Sequence, residues 1–245
     1  MSDICNKTAV VSGASGVIGK SIAEALSRNN INLCLIGRDK AKLEKIRHEI
    51  TNDKIHVNNY IGDLKSIDDT KNIAEEIISD NTHIDILIHS AGIYKQQTIA
   101  DTNIDDFDAQ YFINTRAPLI LTTQLLPLLE KSKGDIVFIN SSVALQEGKA
   151  YLSAYTASKY ALKALSESLR NEVNHLGIRV LNIYPGRTAT TMQEKLFEVE
   201  KREYRPEYLL QPKDIANSVV ASLVLPKTAE ITDIQIRPFS KIPKY

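Results

Sequence analysis

The chain has 245 residues, 43% of them hydrophobic and 24% charged, with 30 Lys plus Arg balancing 30 Asp plus Glu. That length suits one large α/β domain with a substantial core, and the composition excludes disordered and fibrous classes. With no basic excess there is no broad positive field to neutralise a phosphate backbone, so no nucleic-acid partner is expected.

In chain order, short β-branched runs at 8–12, 32–36, 55–61, 84–89, 135–140, 178–184 and, more weakly, 231–237 predict seven strands. Between them, 17–28, 40–50, 67–79, 105–130, 154–176 and 214–225 repeat apolar residues at helical spacing. Pro127 falls inside the long 105–130 segment and reads as a kink near its end. Strict alternation of strand and helix implies parallel pairing, and strands apolar on both faces imply helices on both sides. Right-handed crossovers then give a doubly wound, Rossmann-like α/β fold in a single domain spanning 1–245. The polar stretch 187–211, with Pro206 near its end and Pro212 just beyond, is expected to be a substrate-covering loop or short helical lid.

Other features are bland. Cys34 sits in an apolar run and reads as a buried hydrophobe, and Cys5 has no closely spaced partner. The five histidines (His48, His56, His83, His89 and His175) show no metal-ligand spacing, so no metal site is expected. No stretch has the length and apolarity of a signal peptide or membrane span, and the expected location is cytoplasmic, with no membrane partner.

The chemistry begins after the first strand, at Ser12-Gly13-Ala14-Ser15-Gly16-Val17-Ile18-Gly19, which opens a helix. Gly13 permits a tight turn, Gly16 lets the backbone approach a pyrophosphate, and Gly19 allows close helix-to-strand packing. The helix N-terminus adds amide donors and a positive dipole. Cofactor choice lies about twenty residues on, at the end of the second strand, where an acid would bind the ribose 2′-hydroxyl. There the chain reads Gly37-Arg38-Asp39. Arg38 presents a planar fork suited to a 2′-phosphate and favours NADP(H) over NAD(H). Asp39 is the rival, as an NAD-type acid, although it also stands where it would N-cap the following helix.

Tyr155 and Lys159 are four residues apart on a predicted helix and project from one face. An ammonium ~5 Å from the phenol, at an effective dielectric near ~20, favours phenolate by about 3 kcal/mol, roughly two pKa units, which would make Tyr155 a workable acid/base.

The Gly-x3-Gly-x2-Gly spacing, the Tyr155-Thr156-Ala157-Ser158-Lys159 motif, Ser142 thirteen residues before the tyrosine, and Asn114 on the long helix together resemble the short-chain dehydrogenase/reductase family. Asp63-Leu64, Ala91-Gly92, and Pro185-Gly186 with Thr188 and Thr190 fall in the family's order, so the resemblance spans essentially the whole chain. One departure is His89-Ser90 where the family often has Asn-Asn.

The resemblance implies a catalytic set of Asn114, Ser142, Tyr155 and Lys159, with Ser141 as the alternative to Ser142. It implies a cofactor site of Gly13, Ser15, Gly16, Ile18, Gly19, Arg38, Asp63, Leu64, Ala91, Gly92, Asn114, Tyr155, Lys159, Pro185, Gly186, Thr188 and Thr190. Lys159 would also bind the nicotinamide ribose, Ser142 the substrate oxygen, and Asn114 a water-linked proton path, while Thr188 and Thr190 would hold the carboxamide. The implied activity is hydride transfer between NADP(H) and a carbonyl or secondary alcohol of a small molecule, in a homodimer or homotetramer. Arg187 reads either as a grip on an anionic substrate group or as a surface arginine. Ala144, Leu145, Tyr151 and Tyr94 are candidate pocket residues. The ending Ile234-Gln235-Ile236-Arg237-Pro238 is more similar to members acting on small hydroxy acids, serine-like alcohols or pterins than to those with glycine-rich ends. Two other readings stand beside it. A nucleotide-sugar epimerase would need a longer C-terminal domain than the chain has after Pro185, and a non-catalytic NADP-binding sensor or scaffold would have no physical need for all four catalytic groups.

Overall fold

A computed structural model describes residues 4–148 and 150–239; the rest of the polar start (1–3), residue 149 and 240–245 lie outside the described residues. Seven parallel strands form one sheet: β1 (Thr8–Ser12), β2 (Asn32–Gly37), β3 (Val57–Ile61), β4 (Ile86–His89), β5 (Asp135–Ile139), β6 (Arg179–Pro185) and β7 (Asp233–Ile236). Their order is β3-β2-β1-β4-β5-β6-β7. The expected doubly wound parallel sheet is therefore what the chain forms.

The period-two alternation of the strands feeds two cores. Ala9 and Val11 join one apolar cluster with Ile22 and Leu26 of α1 (Val17–Arg28), Leu43 and Ile46 of α2 (Lys40–Ile50), and Ile215 and Val219 of α8 (Pro212–Leu223). Val10, one residue away, points to the other face and joins Ile73 of α3 (Ile67–Asp80), Leu125 of α5 (Ala117–Ser132) and Leu162 of α6 (Ser153–Val173). Because both faces are covered, β1, β2 and β4 to β6 are almost wholly buried. The edge strand β7 is half exposed, which is why its sequence signal is weak.

One segment differs from the sequence reading. The expected long helix at 105–130 is α4 (Ile104–Tyr111) and α5 joined by a π-turn at Phe112–Arg116. An α-helix would aim the N–H of residue 118 at the Asn114 carbonyl, but Pro118 has none, and the ladder widens just before it, where the Ala117 N–H reaches the Phe112 carbonyl. Pro127, by contrast, is accommodated inside α5. The polar stretch after β6 contains α7 (Thr191–Val199) and a 3-10 turn at Pro206–Tyr208, and a bridge between Thr188 and Leu210 joins its two ends.

Candidate active site

The strand order reverses direction between β1 and β4, so the loops leaving their carboxyl ends diverge and open a crevice, the usual place for a ligand in such a sheet. Gly13 leaves β1 with φ +70, and a Cβ there would stand 2.6 Å from the Cα of Ala91 on the β4 loop. A Cβ on Gly19 would stand 2.2 Å from the Gly13 carbonyl oxygen. These glycines let turn and helix close on each other. Gly16 is the N-cap of α1 and offers no side-chain cap, so the first-turn amides keep their donors for a ligand. This cradle, open to an anion and too tight for a Cβ at Gly13 and Gly19, fits a pyrophosphate.

At the end of β2, Asp39 caps α2, its carboxylate accepting from the Lys42 N–H at 3.0 Å. That interaction holds its pKa below the ordinary carboxylate value although the group is exposed. Arg38 is exposed beside it, and Gly37 lies against the Ser15 hydroxyl, which a Cβ would approach to 3.0 Å. Asp63 turns its carboxylate onto the Lys65 N–H at 3.0 Å, and Leu64 is buried beneath it.

The β4 loop is tied to both neighbours. The Ser12 hydroxyl accepts from the Ser90 N–H at 3.2 Å and the Ala91 N–H at 3.4 Å. Asn114 accepts from the Ile93 N–H at 2.8 Å and donates to the Ile93 carbonyl and the Ser158 hydroxyl, each at 3.0 Å. Its side chain is thus a staple between the loop and α6. His89, at the Asn-Asn departure, does not face the crevice. Its ring stacks on Phe138 with centroids 4.8 Å apart and its Nε2 meets the Thr122 hydroxyl at 2.9 Å, while Nδ1 has no partner among the described residues. Burial pushes its pKa down to about 3.

Tyr155 and Lys159 lie on one face of α6 beside the ends of β4 and β5. Lys159 is 3% exposed, and its Nζ donates to the Ile139 carbonyl at 3.1 Å, leaving two N–H groups for a ligand. A Cβ on Gly92 would stand 3.7 Å from this ammonium and 3.4 Å from Asn114 Oδ1. Burial lowers the Lys159 pKa to about 8 and raises that of the Tyr155 phenol, the latter opposed by a hydrogen bond with Ser141. The direction at Tyr155 departs from the depression expected of a lysine one turn away. The reason is that low-polarity surroundings act on both groups and the ammonium is drawn to a carbonyl.

A cavity of about 980 Å³ opens in front of Tyr155. Both Ser141 and Ser142 line it, as do Ile18, Pro185, Gly186, Thr188 and Thr190. Thr190 also caps α7, accepting from the Gln193 N–H at 3.2 Å, and the Thr188 hydroxyl donates to the Gly186 carbonyl at 3.0 Å. Of the other pocket candidates, Tyr94 and Tyr151 line the cavity and Ala144 and Leu145 do not. Tyr94 packs edge-on against Tyr155, centroids 5.0 Å apart. Three features had no reading in the sequence: Ser158 as the partner of Asn114, the π-turn, and the pairing of Arg187 with Glu200. Only the π-turn had a signal, a proline four residues beyond Asn114. Among the described residues no group of three or more His, Cys, Asp or Glu is placed to hold a metal ion, and no helix is long and apolar enough to cross a membrane.

A parallel sheet with a glycine cradle at its switch point and a Tyr–Lys pair beside the same crevice defines a Rossmann-like class of protein. The short chain dehydrogenase family model matches residues 7–201, and the chain belongs to that family of oxidoreductases. An uncharacterized oxidoreductase of Staphylococcus epidermidis is 30% identical over 239 residues, 97% of this chain and all of the relative. A Staphylococcus aureus counterpart, also an uncharacterized oxidoreductase, is 28% identical over 240 residues, 97% of this chain and all of the relative. Among solved structures, a metagenomic short-chain oxidoreductase in complex with NADP superposes with a TM-score of 0.83 at 26% identity, covering 98% of this chain and all of that one. An alcohol dehydrogenase from the archaeon Thermococcus sibiricus, complexed with 5-hydroxy-NADP, shares the fold with a TM-score of 0.86 at 24% identity, over 98% of this chain and 99% of that one.

Proposed function

We propose that the protein is an NADP(H)-dependent oxidoreductase that interconverts a carbonyl and a secondary alcohol on a small molecule. The observation that carries this reading is the convergence of Tyr155 and two serines on one cavity that also reaches Ile18 beside the glycine cradle, with the buried Lys159 one turn along α6 from Tyr155. The solved complexes of related proteins with NADP support a nicotinamide cofactor.

The cofactor, when bound, supplies or accepts a hydride at its nicotinamide ring, and the remaining work falls to the chain. The amides at the start of α1 hold the pyrophosphate between Gly13, Ser15, Gly16 and Gly19, with Ala91 and Gly92 closing the other side. Asp63 and Leu64 border the adenine end. Lys159 offers its two remaining N–H groups to ribose hydroxyls, and Pro185, Gly186, Thr188 and Thr190 form the wall for the carboxamide. Tyr155 gives a proton to the substrate oxygen in reduction and takes it back in oxidation, while Ser142, or Ser141 in its place, donates a hydrogen bond to that oxygen. The Asn114 side chain is committed to Ile93 and Ser158, so its contribution to proton supply runs through the main-chain carbonyl that Pro118 leaves unpaired by α-helical rules. Residues 187–211 cover the substrate as a lid on a single catalytic domain. The setting is cytoplasmic and the assembly a homodimer or homotetramer.

Arg38 sets the nucleotide preference through the 2′-phosphate, since Asp39 is committed to its cap. Fluorescence titration with NADPH and NADH tests this on wild type and Arg38→Ala. Tighter binding of NADPH, with the preference lost in the variant, supports the assignment. A preference for NADH would transfer the ribose contact to Asp39.

A further inference from the structure

The lid carries more positive charge into the cavity than it neutralises. Arg187, directly after the Pro185-Gly186 turn, forms a two-pronged pair with Glu200, Nη1 to Oε2 at 2.9 Å and Nη2 to Oε1 at 2.5 Å. Arg202 reaches the same carboxylate, Nη1 to Oε2 at 3.1 Å. Both guanidinium groups also stand over the Phe197 ring, at 5.0 Å and 5.2 Å from its centroid, and Tyr204 packs edge-on against that ring at 5.6 Å. Arg187, Glu200 and Arg202 all line the cavity in front of Tyr155. Two cations therefore share one anion in this cluster, held against an aromatic side chain that limits their motion, while Asp101, the other carboxylate lining the cavity, accepts from the Thr98 hydroxyl.

We infer that this cluster is the subsite for an anionic group, a carboxylate or a phosphate, on the carbonyl substrate. The inference rests on the proposed oxidoreductase function for what else the substrate carries. Several features fit an anion better than a neutral group. Among the described residues, the guanidinium N–H groups not turned to Glu200 have no other acceptor, and planar forks of this kind suit a carboxylate or phosphate. Glu200 is held ionised by the hydrogen bond from Arg187, its pKa lowered, so the cluster keeps one net positive charge near neutral pH. Tyr94, which packs edge-on against Tyr155, lines the same cavity as the cluster, so the subsite and the reacting carbonyl share one cavity. Glu200 and Arg202 fall on either side of Lys201, in the turn that ends α7.

Calorimetric titration of the protein saturated with NADP tests the inference by binding, independently of turnover. The probes are a series of keto acids of increasing spacing between carbonyl and carboxylate, their methyl esters, and phosphorylated ketones of matching length. The best-fitting anion should bind about 10- to 100-fold more tightly than its neutral ester, the range of a charge-assisted hydrogen-bond pair. Arg202→Gln, at an exposed position where folding is not at stake, should reduce that preference about tenfold, and added salt should weaken it further. The tighter of the carboxylate and phosphate series identifies the group. Equal affinity for acid, phosphate and ester, or a preference untouched in Arg202→Gln, would overturn the inference while leaving the oxidoreductase reading standing. Selective anion binding without turnover of any bound carbonyl would instead uphold the subsite and count against the proposed reaction.

Discussion

His89 makes an acid-sensitive element of the β4 strand end, and the size of its effect follows from its burial. The imidazole is 2% exposed, and its pKa falls from 6.5 to about 3. As pH falls below 6.5 the unfolded chain takes up a proton that the folded protein refuses, so stability is lost between pH 6.5 and pH 3 and is fully present above that window. For these two pKa values, linkage gives a loss of about 2 kcal/mol on going from about pH 7 to about pH 5, rising to roughly 4 kcal/mol at about pH 3. His89→Asn places the residue common in the family at this position and removes the titration. Its own cost at neutral pH, from the lost Thr122 contact and Phe138 stacking, cancels when each protein is compared with itself. Urea unfolding of wild type and variant at the two pH values gives four free energies. Wild type should lose about 2 kcal/mol more than the variant on acidification. An equal loss in both would refute the argument that burial of a neutral imidazole sets this limb of the stability curve.

Three further outcomes follow from the site. Gly19→Ala places a Cβ 2.2 Å from the Gly13 carbonyl, between backbone atoms that cannot yield without reshaping the turn; thermal unfolding and NADPH titration should show a cost of about 1–3 kcal/mol or more, together with weakened nucleotide binding. Lys159 has a folded pKa of about 8 against an ordinary 10.5, so its charging penalty is fully present below pH 8 and relieved as pH climbs from 8 to 10.5. Lys159→Met should therefore be inactive yet up to roughly 3 kcal/mol more stable near neutrality, and its urea midpoint should lack the wild-type rise across that alkaline window. Ser142→Ala and Ser141→Ala, compared by steady-state kinetics, should differ: loss of the oxyanion donor lowers kcat by about 10²–10³-fold, and loss of the other hydroxyl much less.

Much of the fold was legible because its cause is periodic. Alternate residues of β1 serve opposite cores, and α1 and α2 begin and end where the apolar spacing does. Asp39 could be read as a cap because a capping residue acts locally, on an amide three positions away. What escaped depends on contacts distant in sequence. The phenol of Tyr155 is shifted by burial from several elements, against the pairwise argument from Lys159. Asn114 and Ser158 meet across 44 positions, a partnership that no local pattern encodes. The π-turn was the exception, since Pro118 removes an amide that the preceding turn requires, whereas Pro127 is absorbed within α5. The Arg187–Glu200 pair depended on how the lid folds back, which its polar composition leaves undetermined.

The most direct test of the central claim is NADPH consumption with a panel of carbonyl compounds, carboxylated and phosphorylated ketones included, on wild type and Tyr155→Phe. Wild type should turn over, and the variant should show a fall of about 10²–10⁴-fold in kcat with NADPH affinity retained. Undiminished turnover by Tyr155→Phe, or tight NADPH binding by wild type with no carbonyl reduced, would contradict it.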